Sequence, residues 1–549
     1  MRLLQAGKLP RPPARLALLG LLPLAAFGAG DWAPSVGLQC EADLGADLPR
    51  AVGAPSEADP AVFPNEPTEQ RWYLLELGGR SAGWAAERWW SRAGEIVTEA
   101  ELSLRLARAG TELEIAMAAR FVETATGEPV SLWLRRALGN EPIETTYRFL
   151  PDRVTAETVQ GARVRREDLA LPAGAWLTPA EARRAIRRHH AAGDSDYTLR
   201  TVDPLEGLEP VTVIRTRLGA GASPETAELW EEKLSSAPGM ASIVKLDAAG
   251  EMVQSTTEIL GLEAVLRRSD RATALAALAS DAGPRPEVLR PTLIRPDRSI
   301  QSPERTVRAL YELSLPGGGE IPDLPDGGGQ RVERQGDRLL VAVAARPPEG
   351  RVEPNGGRGG ERIPPPDQDG APDLARYLAA STYLDHDDPQ IRRLLGAVVP
   401  GDADPRPVTG EAGTTLARSL TELVRHHVQR KDLDTGFATA SEVARSGSGD
   451  CTEHSVLLAA LLRAAGIPSR AVTGLVYLED FAGAEGVFGY HMWVQAWAEG
   501  RWLDLDATLP GGFDATHIAL ALSDLAGPEL DGLLPLVGRL AIRVLEVEP

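Results

Sequence analysis

One cysteine of this chain lies in a sequence context where its thiol could act as a nucleophile. Cys451, one of two cysteines among 549 residues, lies before a long apolar run in SGSGDCTEHSVLLAALLRAAGIPSR, residues 446–470. Asp450 and Glu453 have the spacing of a capping box, so we expect a buried helix that begins at Cys451. Unpaired N–H groups at a helix N-terminus favour a thiolate and can stabilise an oxyanion. The alternative is an inert cysteine at the start of a core helix.

A histidine and two aspartates follow in FGYHMWVQAWAEGRWLDLDATLP, residues 488–510. Its alternating pattern predicts a β-hairpin with Glu499-Gly500 as the loop. In that register His491 and Asp506 are diagonal neighbours on the two strands, with Cα atoms roughly 7–8 Å apart. A carboxylate there can hold one imidazole nitrogen and leave the other for a thiol. The same face is predicted to carry His491, Trp493, Gln495, Trp497, Trp502, Asp504 and Asp506.

Several neighbours have simpler explanations than catalysis. Asp504 shares the predicted face and competes with Asp506, which the diagonal geometry favours. Glu453 is explained by capping, and we expect His454 in the core or at its rim. The tryptophans of the hairpin are expected to pack, with walls of a substrate cleft as the alternative. We assign no role to His517 from the sequence.

These stretches together resemble a known family. SGSGDCTEHSVLLAALLRAAGIPSRAV, GYHMWVQAW and RWLDLDAT are similar to the three motifs of the transglutaminase-like superfamily, whose core belongs to the papain-like cysteine enzymes. The resemblance spans roughly residues 372–525. It implies that Cys451 is the nucleophile, His491 the general base and acid, and Asp506 the residue that orients His491. Many members have Asp-Pro-Thr where this chain has Asp-Ala-Thr, which leaves the acid intact.

We expect an α+β protein in which a papain/transglutaminase-like core of helices and antiparallel sheet follows an antiparallel β-rich domain. Turn dipeptides separate short alternating segments between residues 68 and 280, which is typical of antiparallel strands. A Pro/Gly-rich connector with a small β element is predicted over 281–371, and the catalytic domain over 372–525. The remaining predicted units are a signal peptide (1–30), a flexible tail (31–67) and a C-terminal extension (526–549).

The N-terminus is typical of an export signal. Four basic residues precede an apolar stretch over residues 16–27, and small residues follow. This stretch is shorter than the roughly 20 residues of a membrane span, although a retained anchor is the alternative. We therefore expect an exported protein, periplasmic or extracellular, that contacts a membrane only if this segment is retained.

Charge and cysteine content narrow the function classes. The net charge is −20, and removal of residues 1–30 takes away four positive charges and no negative ones, giving about −24. So acidic a chain is not expected to bind nucleic acid. Two distant cysteines, Cys40 and Cys451, do not make a disulfide framework, although a disulfide that masks Cys451 is a minor alternative.

The function expected from these observations is an amide or peptide hydrolase, or an acyl transferase, that acts through a thioester. Hydrolysis is favoured over protein cross-linking by the simpler members that the chain resembles. We expect no cofactor and no metal, and protein or peptide substrates with cell-envelope components as further partners. A catalytically idle binding or scaffold protein is the alternative.

Overall fold

The computed structural model describes residues 66–92, 94–138, 141–223, 226–236, 240–279, 283–345, 374–399, 410–431, 433, 436–525 and 536–549. The predicted signal peptide, Cys40 and nearly all of the predicted tail lie outside these residues. No helix in the described ranges has the length and apolar character that a membrane crossing requires.

Residues 69–269 form one large antiparallel sheet, which has fourteen strands among the described residues. Each strand pairs with its neighbour in the chain, except that the first strand joins the two halves by pairing with the last. The strands are β1 (Glu69–Leu77), β2 (Arg80–Arg92), β3 (Glu95–Arg108), β4 (Thr111–Thr124), β5 (Pro129–Ala137), β6 (Ile143–Phe149), β7 (Val154–Gln160), β8 (Arg163–Leu169), β9 (Asp196–Val202), β10 (Pro210–Ser223), β11 (Thr226–Leu234), β12 (Ser242–Leu246), β13 (Met252–Ile259) and β14 (Leu262–Ser269).

Alternating hydrophobicity explains why these segments form strands with one buried face. In β4, Leu113, Ile115 and Met117 are buried, whereas the intervening Glu112 and Glu114 are exposed. Successive side chains of a strand point to opposite faces, so this period of two buries one face and leaves the other in water. The predicted antiparallel β-rich region is confirmed.

Two helices accompany the sheet: α1 (Pro179–Ala192) before β9 and α2 (Arg271–Ala276) after β14. The sequence predicts a capping box at the start of α1, formed by Thr178 and Glu181, and this prediction is wrong. The Thr178 side chain makes no capping bond, because its hydroxyl donates to Glu123 Oε1 of β4 at 2.7 Å. Glu123 Oε2 instead accepts from the backbone N–H of Ala180 at 3.1 Å. A carboxylate from the sheet therefore caps this helix.

A small second sheet begins after the large one, with β15 (Arg308–Ser314), β16 (Gln330–Gln335) and β17 (Arg338–Ala344). All three strands lie within residues 281–371, where the sequence predicts a small β element. Tyr311 of β15 is fully buried, and its hydroxyl donates to the carbonyl of Ala515 at 3.0 Å. The small sheet therefore packs directly against the segment that follows the predicted hairpin.

The C-terminal region combines four helices with a four-stranded antiparallel sheet in the described residues. The sheet has the strand order β20-β19-β18-β21, and the final strand of the chain, β22, pairs with β15 of the small sheet. The elements are α3 (Pro389–Gly396), α4 (Gly410–His427), α5 (Ala440–Ser446), α6 (Cys451–Ala464), β18 (Ser469–Phe481), β19 (Ala484–Ala498), β20 (Arg501–Leu505), β21 (Ile518–Ser523) and β22 (Ala541–Glu548).

Helix α6 is the centre of this region. Every residue from Cys451 to Arg463 is buried, as the nearly continuous apolar sequence predicts. Ser455 Oγ donates to the carbonyl of Met492 at 3.0 Å, which docks the first turns of α6 against β19.

The large sheet contacts the C-terminal region at the start of α6. Arg108 at the end of β3 pairs with Asp450 Oδ2 at 2.7 Å, and both side chains are buried. The carbonyl of Leu138 also accepts from the backbone N–H groups of Gly436 and Phe437, at 2.6 and 3.0 Å. The sheet therefore helps to hold the helix N-terminus where the predicted nucleophile lies.

Candidate active site

Cys451 is the first residue of α6, as predicted, and its side chain is fully buried. The predicted capping box forms: Asp450 Oδ1 accepts from the N–H of Thr452 at 2.8 Å, and Glu453 Oε2 accepts from the N–H of Asp450 at 3.0 Å. Cys451 Sγ lies 3.9 Å from the hydroxyl oxygen of Thr452. The thiol therefore sits at the positive end of a well-capped helix dipole.

The predicted hairpin forms with the predicted register. Glu499 and Gly500 both adopt positive φ, 53° and 73°, as a two-residue type I′ loop requires. Trp497 pairs with Trp502, and Gln495 pairs with Asp504. Strand β20 ends at Leu505, so Asp506 follows directly after the ladder.

His491 of β19 meets the carboxylate of Asp506, as the diagonal geometry predicts. His491 Nε2 lies 2.7 Å from Asp506 Oδ2, and neither side chain is exposed. The other ring nitrogen, His491 Nδ1, is buried and has no hydrogen-bond partner among the residues that the structure describes. Ser455 Oγ donates to the carbonyl of Met492, the residue after His491, so α6 is anchored to β19 next to this histidine in the chain.

Asp506 is held as an anion. Burial raises its pKa, but the charges and hydrogen bonds of His491 and His517 outweigh burial and hold the pKa of Asp506 well below its usual range. Its second oxygen, Oδ1, accepts from the N–H of Thr508 at 2.6 Å and from that of Leu509 at 3.3 Å. The carboxylate orientation is therefore set from both sides.

The competing carboxylate, Asp504, points to a different set of partners. Its Oδ1 accepts from Trp493 Nε1 at 3.0 Å and from Gln495 Nε2 at 2.7 Å, and its Oδ2 accepts from the N–H of Gly329 at 3.0 Å. Burial raises the pKa of Asp504. The carboxylate bonded to His491 is therefore Asp506, and Asp504 joins β19 to the small sheet.

The sequence misses one member of this cluster, His517. Its Nε2 lies 3.1 Å from Asp506 Oδ2, the same oxygen that His491 meets. The only local signal is the spacing of Asp514 and His517, three residues apart in a turn. Nothing in that spacing shows which residue the other nitrogen reaches, because the loop after β20 must first fold back under β19.

His454 and Lys431 complete the surroundings. His454 is buried, its Nδ1 lies 2.6 Å from the carbonyl oxygen of Asp450, and burial lowers its pKa, so it is a core residue as expected. Lys431 Nζ donates to the carbonyl of Thr508 at 3.0 Å, and burial lowers the pKa of this amine. Lys431 thus ties the segment before α5 to the loop that carries Asp506.

Three clustered side chains have residue types that can bind a metal ion. His491, Asp506 and His517 each offer a ligand atom, and these atoms lie within 4.8 Å of one another. However, both histidines already meet Asp506 Oδ2 with ring nitrogens, and His517 lies between two aspartates. A cation here would have to displace two N–H donors, so the donor set fits a hydrogen-bonded cluster better than a metal centre.

The cluster is closed in this conformation. Cys451 and His491 have 0% exposed surface, and Asp506 has 2%. Such burial shields the groups from water and strengthens every electrostatic interaction among them.

Residues 406–507 match the model of the transglutaminase-like superfamily, so this segment is similar to the core of that superfamily. The match contains Cys451, His491 and Asp506 but ends before His517. No curated protein matches the chain.

Three solved structures to which the chain is similar have low sequence identity to it. A beta-barrel-like protein of a domain of unknown function from Brucella abortus is 12% identical, covers 37% of this chain and 95% of its own, and has a TM-score of 0.29. A candidate cysteine protease from Cytophaga hutchinsonii is 12% identical with coverages of 43% and 82% and a TM-score of 0.25. A candidate protease from Parabacteroides distasonis is 12% identical, covers 76% of this chain and 69% of its own, and has a TM-score of 0.16.

Proposed function

We propose that this protein is an exported cysteine-dependent hydrolase that cleaves amide or peptide bonds through a Cys-His-Asp triad. The observation that carries the proposal is the state of His491. One ring nitrogen lies 2.7 Å from Asp506, the other has no partner among the described residues, and the next residue, Met492, is bonded to the helix that begins with Cys451. A general base that serves a thiol needs this arrangement.

The chemistry follows from these positions. His491 Nδ1 takes the thiol proton, and Sγ of Cys451 attacks the substrate carbonyl carbon to give a tetrahedral oxyanion. The N–H of Cys451 at the helix N-terminus is one donor available to that oxyanion. The C–N bond then breaks as His491 returns the proton to the leaving amine, and an acyl thioester remains on Cys451.

The thioester is resolved by a second attack. Water, deprotonated by His491, releases the carboxylic acid and restores the thiol, whereas an amine in place of water gives transamidation. We favour hydrolysis, and protein or peptide chains as substrates. Asp506 holds the His491 tautomer and stabilises the imidazolium in both half-reactions.

The experiment measures alkylation of Cys451 by iodoacetamide as a function of pH, in a Cys40→Ser background where Cys451 is the sole thiol. Labelling is measured at pH values where the circular dichroism of the protein is unchanged, and the midpoint of the pH profile, rather than the absolute rate, reports on the thiolate. We expect half-maximal labelling below the pH of about 8.5 typical of a free thiol, and loss of this shift in His491→Ala. If Cys451 in the Cys40→Ser protein has the pH profile of a model thiol, the proposal is contradicted.

Product analysis with a peptide library then decides between acceptors. Cleaved peptides without added amine support hydrolysis, whereas amine-linked products that replace them identify a transferase. A Cys451→Ser variant is the control for contaminating proteases. Cleavage that persists in this variant would show that the activity does not belong to the triad.

One observation favours a second function. Cys451, His491 and Asp506 are buried, as they could be in a catalytically idle binding module. On that alternative Cys451 would stay unlabelled at every pH unless the protein were unfolded. Labelling of native protein under conditions where its circular dichroism is unchanged decides between the two.

A further inference from the structure

A third ring lies behind the triad carboxylate. His517 is the residue before β21, beyond the end of the segment that matches the superfamily core. Its Nε2 is 3.1 Å from Asp506 Oδ2, and its ring centroid is 5.6 Å from that of His491. Two imidazoles therefore share one carboxylate oxygen, and the proposed mechanism uses only one of them.

The far nitrogen of His517 also faces acceptors. Nδ1 lies 3.0 Å from the carbonyl oxygen of Asp514 and 3.2 Å from Asp514 Oδ1. The N–H of Asp514 is also near Nδ1, at 3.3 Å, which would suit a neutral ring, but the carbonyl oxygen is closer. With oxygen acceptors at both nitrogens, the ring satisfies its surroundings when both nitrogens carry protons.

The acceptor on that side is fixed in place. Asp514 Oδ1 accepts from the N–H of Thr516 at 2.7 Å and from its hydroxyl at 2.6 Å. Burial lowers the pKa of His517, but Asp514 and Asp506 outweigh it and raise the pKa to about 10. The electrostatics thus agree with the hydrogen-bond geometry.

The other charged or titratable groups around His517 have partners of their own. Lys431 donates to the carbonyl of Thr508, Asp504 is held by Trp493, Gln495 and Gly329, and the Tyr311 hydroxyl donates to the carbonyl of Ala515. The rings of Phe513 and Trp493 lie 4.7 and 5.2 Å from the imidazole centroid and help to bury it. Asp506 and Asp514 are therefore the acceptors that hold His517.

We propose that His517 is a positioning residue which, as an imidazolium, aims Asp506 at His491 and offsets part of the carboxylate charge. The hydrogen bond orients Asp506 Oδ2, and the positive charge lowers the pH at which the Cys451 thiolate forms. This second consequence rests on the proposed function, whereas the protonated state of His517 does not.

The first experiment reads the ring directly. Long-range ¹H–¹⁵N spectra of ¹⁵N-histidine protein report the tautomer and charge of each imidazole from pH 6 to 9. We expect one buried imidazolium that keeps both protons across this range and whose signals vanish in His517→Gln. A neutral His517 ring at pH 7 overturns the proposal, whatever the protein does catalytically.

The second experiment measures the effect on Cys451 with iodoacetamide, again in Cys40→Ser. His517→Gln keeps an amide that can donate to Asp506 but removes the charge, so half-maximal labelling should move to higher pH by about one unit. Asp514→Asn is a milder variant that keeps an oxygen acceptor for Nδ1 and should shift the midpoint in the same direction. An unchanged midpoint in both folded variants contradicts the role.

A matched control is available in α1, the helix that accompanies the large sheet. His190 also has acceptors at both nitrogens, Glu228 Oε2 at 3.0 Å and the carbonyl oxygen of Ala248 at 3.3 Å, but it lies outside the site. His190→Gln should leave the labelling midpoint unchanged. If wild-type Cys451 labels like a model thiol while His517 is an imidazolium, the proposed function fails and the assignment of His517 as the cation holding Asp506 stands.

Discussion

Two buried carboxylates, Glu99 in the large sheet and Asp506 in the C-terminal core, are paired with side chains of different types. Glu99 in the sheet pairs with Arg120 at 2.6 Å and with Arg88, whereas Asp506 in the core meets two histidines. A guanidinium keeps its proton at every working pH, whereas an imidazole exchanges its proton near neutrality. The Glu99 cluster therefore holds strands of the sheet together, whereas the Asp506 cluster contains imidazoles that can take part in proton transfer.

The largest expected effect comes from breaking the core carboxylate. Asp506→Asn removes the anion that fixes the His491 tautomer, so we expect kcat/KM for a cleaved peptide to fall by about 10³–10⁴-fold. The matched control is Asp504→Asn. Asp504 lies two residues away, and the amide oxygen of the new asparagine can still accept from Trp493. Steady-state kinetics on both variants checks this. Equal losses would mean that the hairpin, and not the carboxylate, was damaged.

The next effect is the dependence of stability on pH. Because the folded pKa of His517 is raised to about 10 from 6.5, its stabilisation is complete below pH 6.5 and is lost as pH rises towards 10. The unfolding free energy of the wild type should therefore fall over this window by up to about 5 kcal/mol more than that of His517→Gln. Urea unfolding at pH 6, 8 and 9.5 measures the difference. Parallel curves for the two proteins would refute the assignment.

The ion pair that joins the two regions is the third test. Arg108→Met leaves Asp450 buried without its guanidinium, and we expect a loss of about 3–5 kcal/mol in the unfolding free energy. Arg166→Met removes an exposed arginine of the same sheet, paired with Glu157, and should change it by less than about 1 kcal/mol. Denaturation followed by tryptophan fluorescence compares them. Similar small losses would show that the contact between the regions carries little energy.

The smallest effect concerns the corrected helix cap. Thr178→Val removes the hydroxyl that holds Glu123, the carboxylate that caps α1, and should destabilise the protein by about 1 kcal/mol. Glu181→Ala, which a capping box would make equally harmful, should have a smaller effect because the partner of Glu181 among the described residues is Arg184 in the next turn. Thermal unfolding of both variants gives the order, and the reverse order would restore the capping box.

Local patterns were sufficient for most of the elements. The capping box before Cys451, the loop at Glu499-Gly500 and the hairpin register all depend on neighbours within a few residues or on a period of two, so the sequence predicted them. The cap of α1 was predicted wrongly for the opposite reason, since its acceptor, Glu123, comes from a strand more than fifty residues earlier.

The sequence by itself determined a helix that starts at Cys451, a hairpin that brings His491 to Asp506, and the acidic, β-rich character of the rest. Only the tertiary structure decided that His517 shares Asp506 Oδ2, that Arg108 reaches Asp450, and that Cys451, His491 and Asp506 are all buried. Secondary structure follows from local geometry and periodicity. The charge state of a buried group depends on every chain segment packed around it, and those segments meet only in the folded protein.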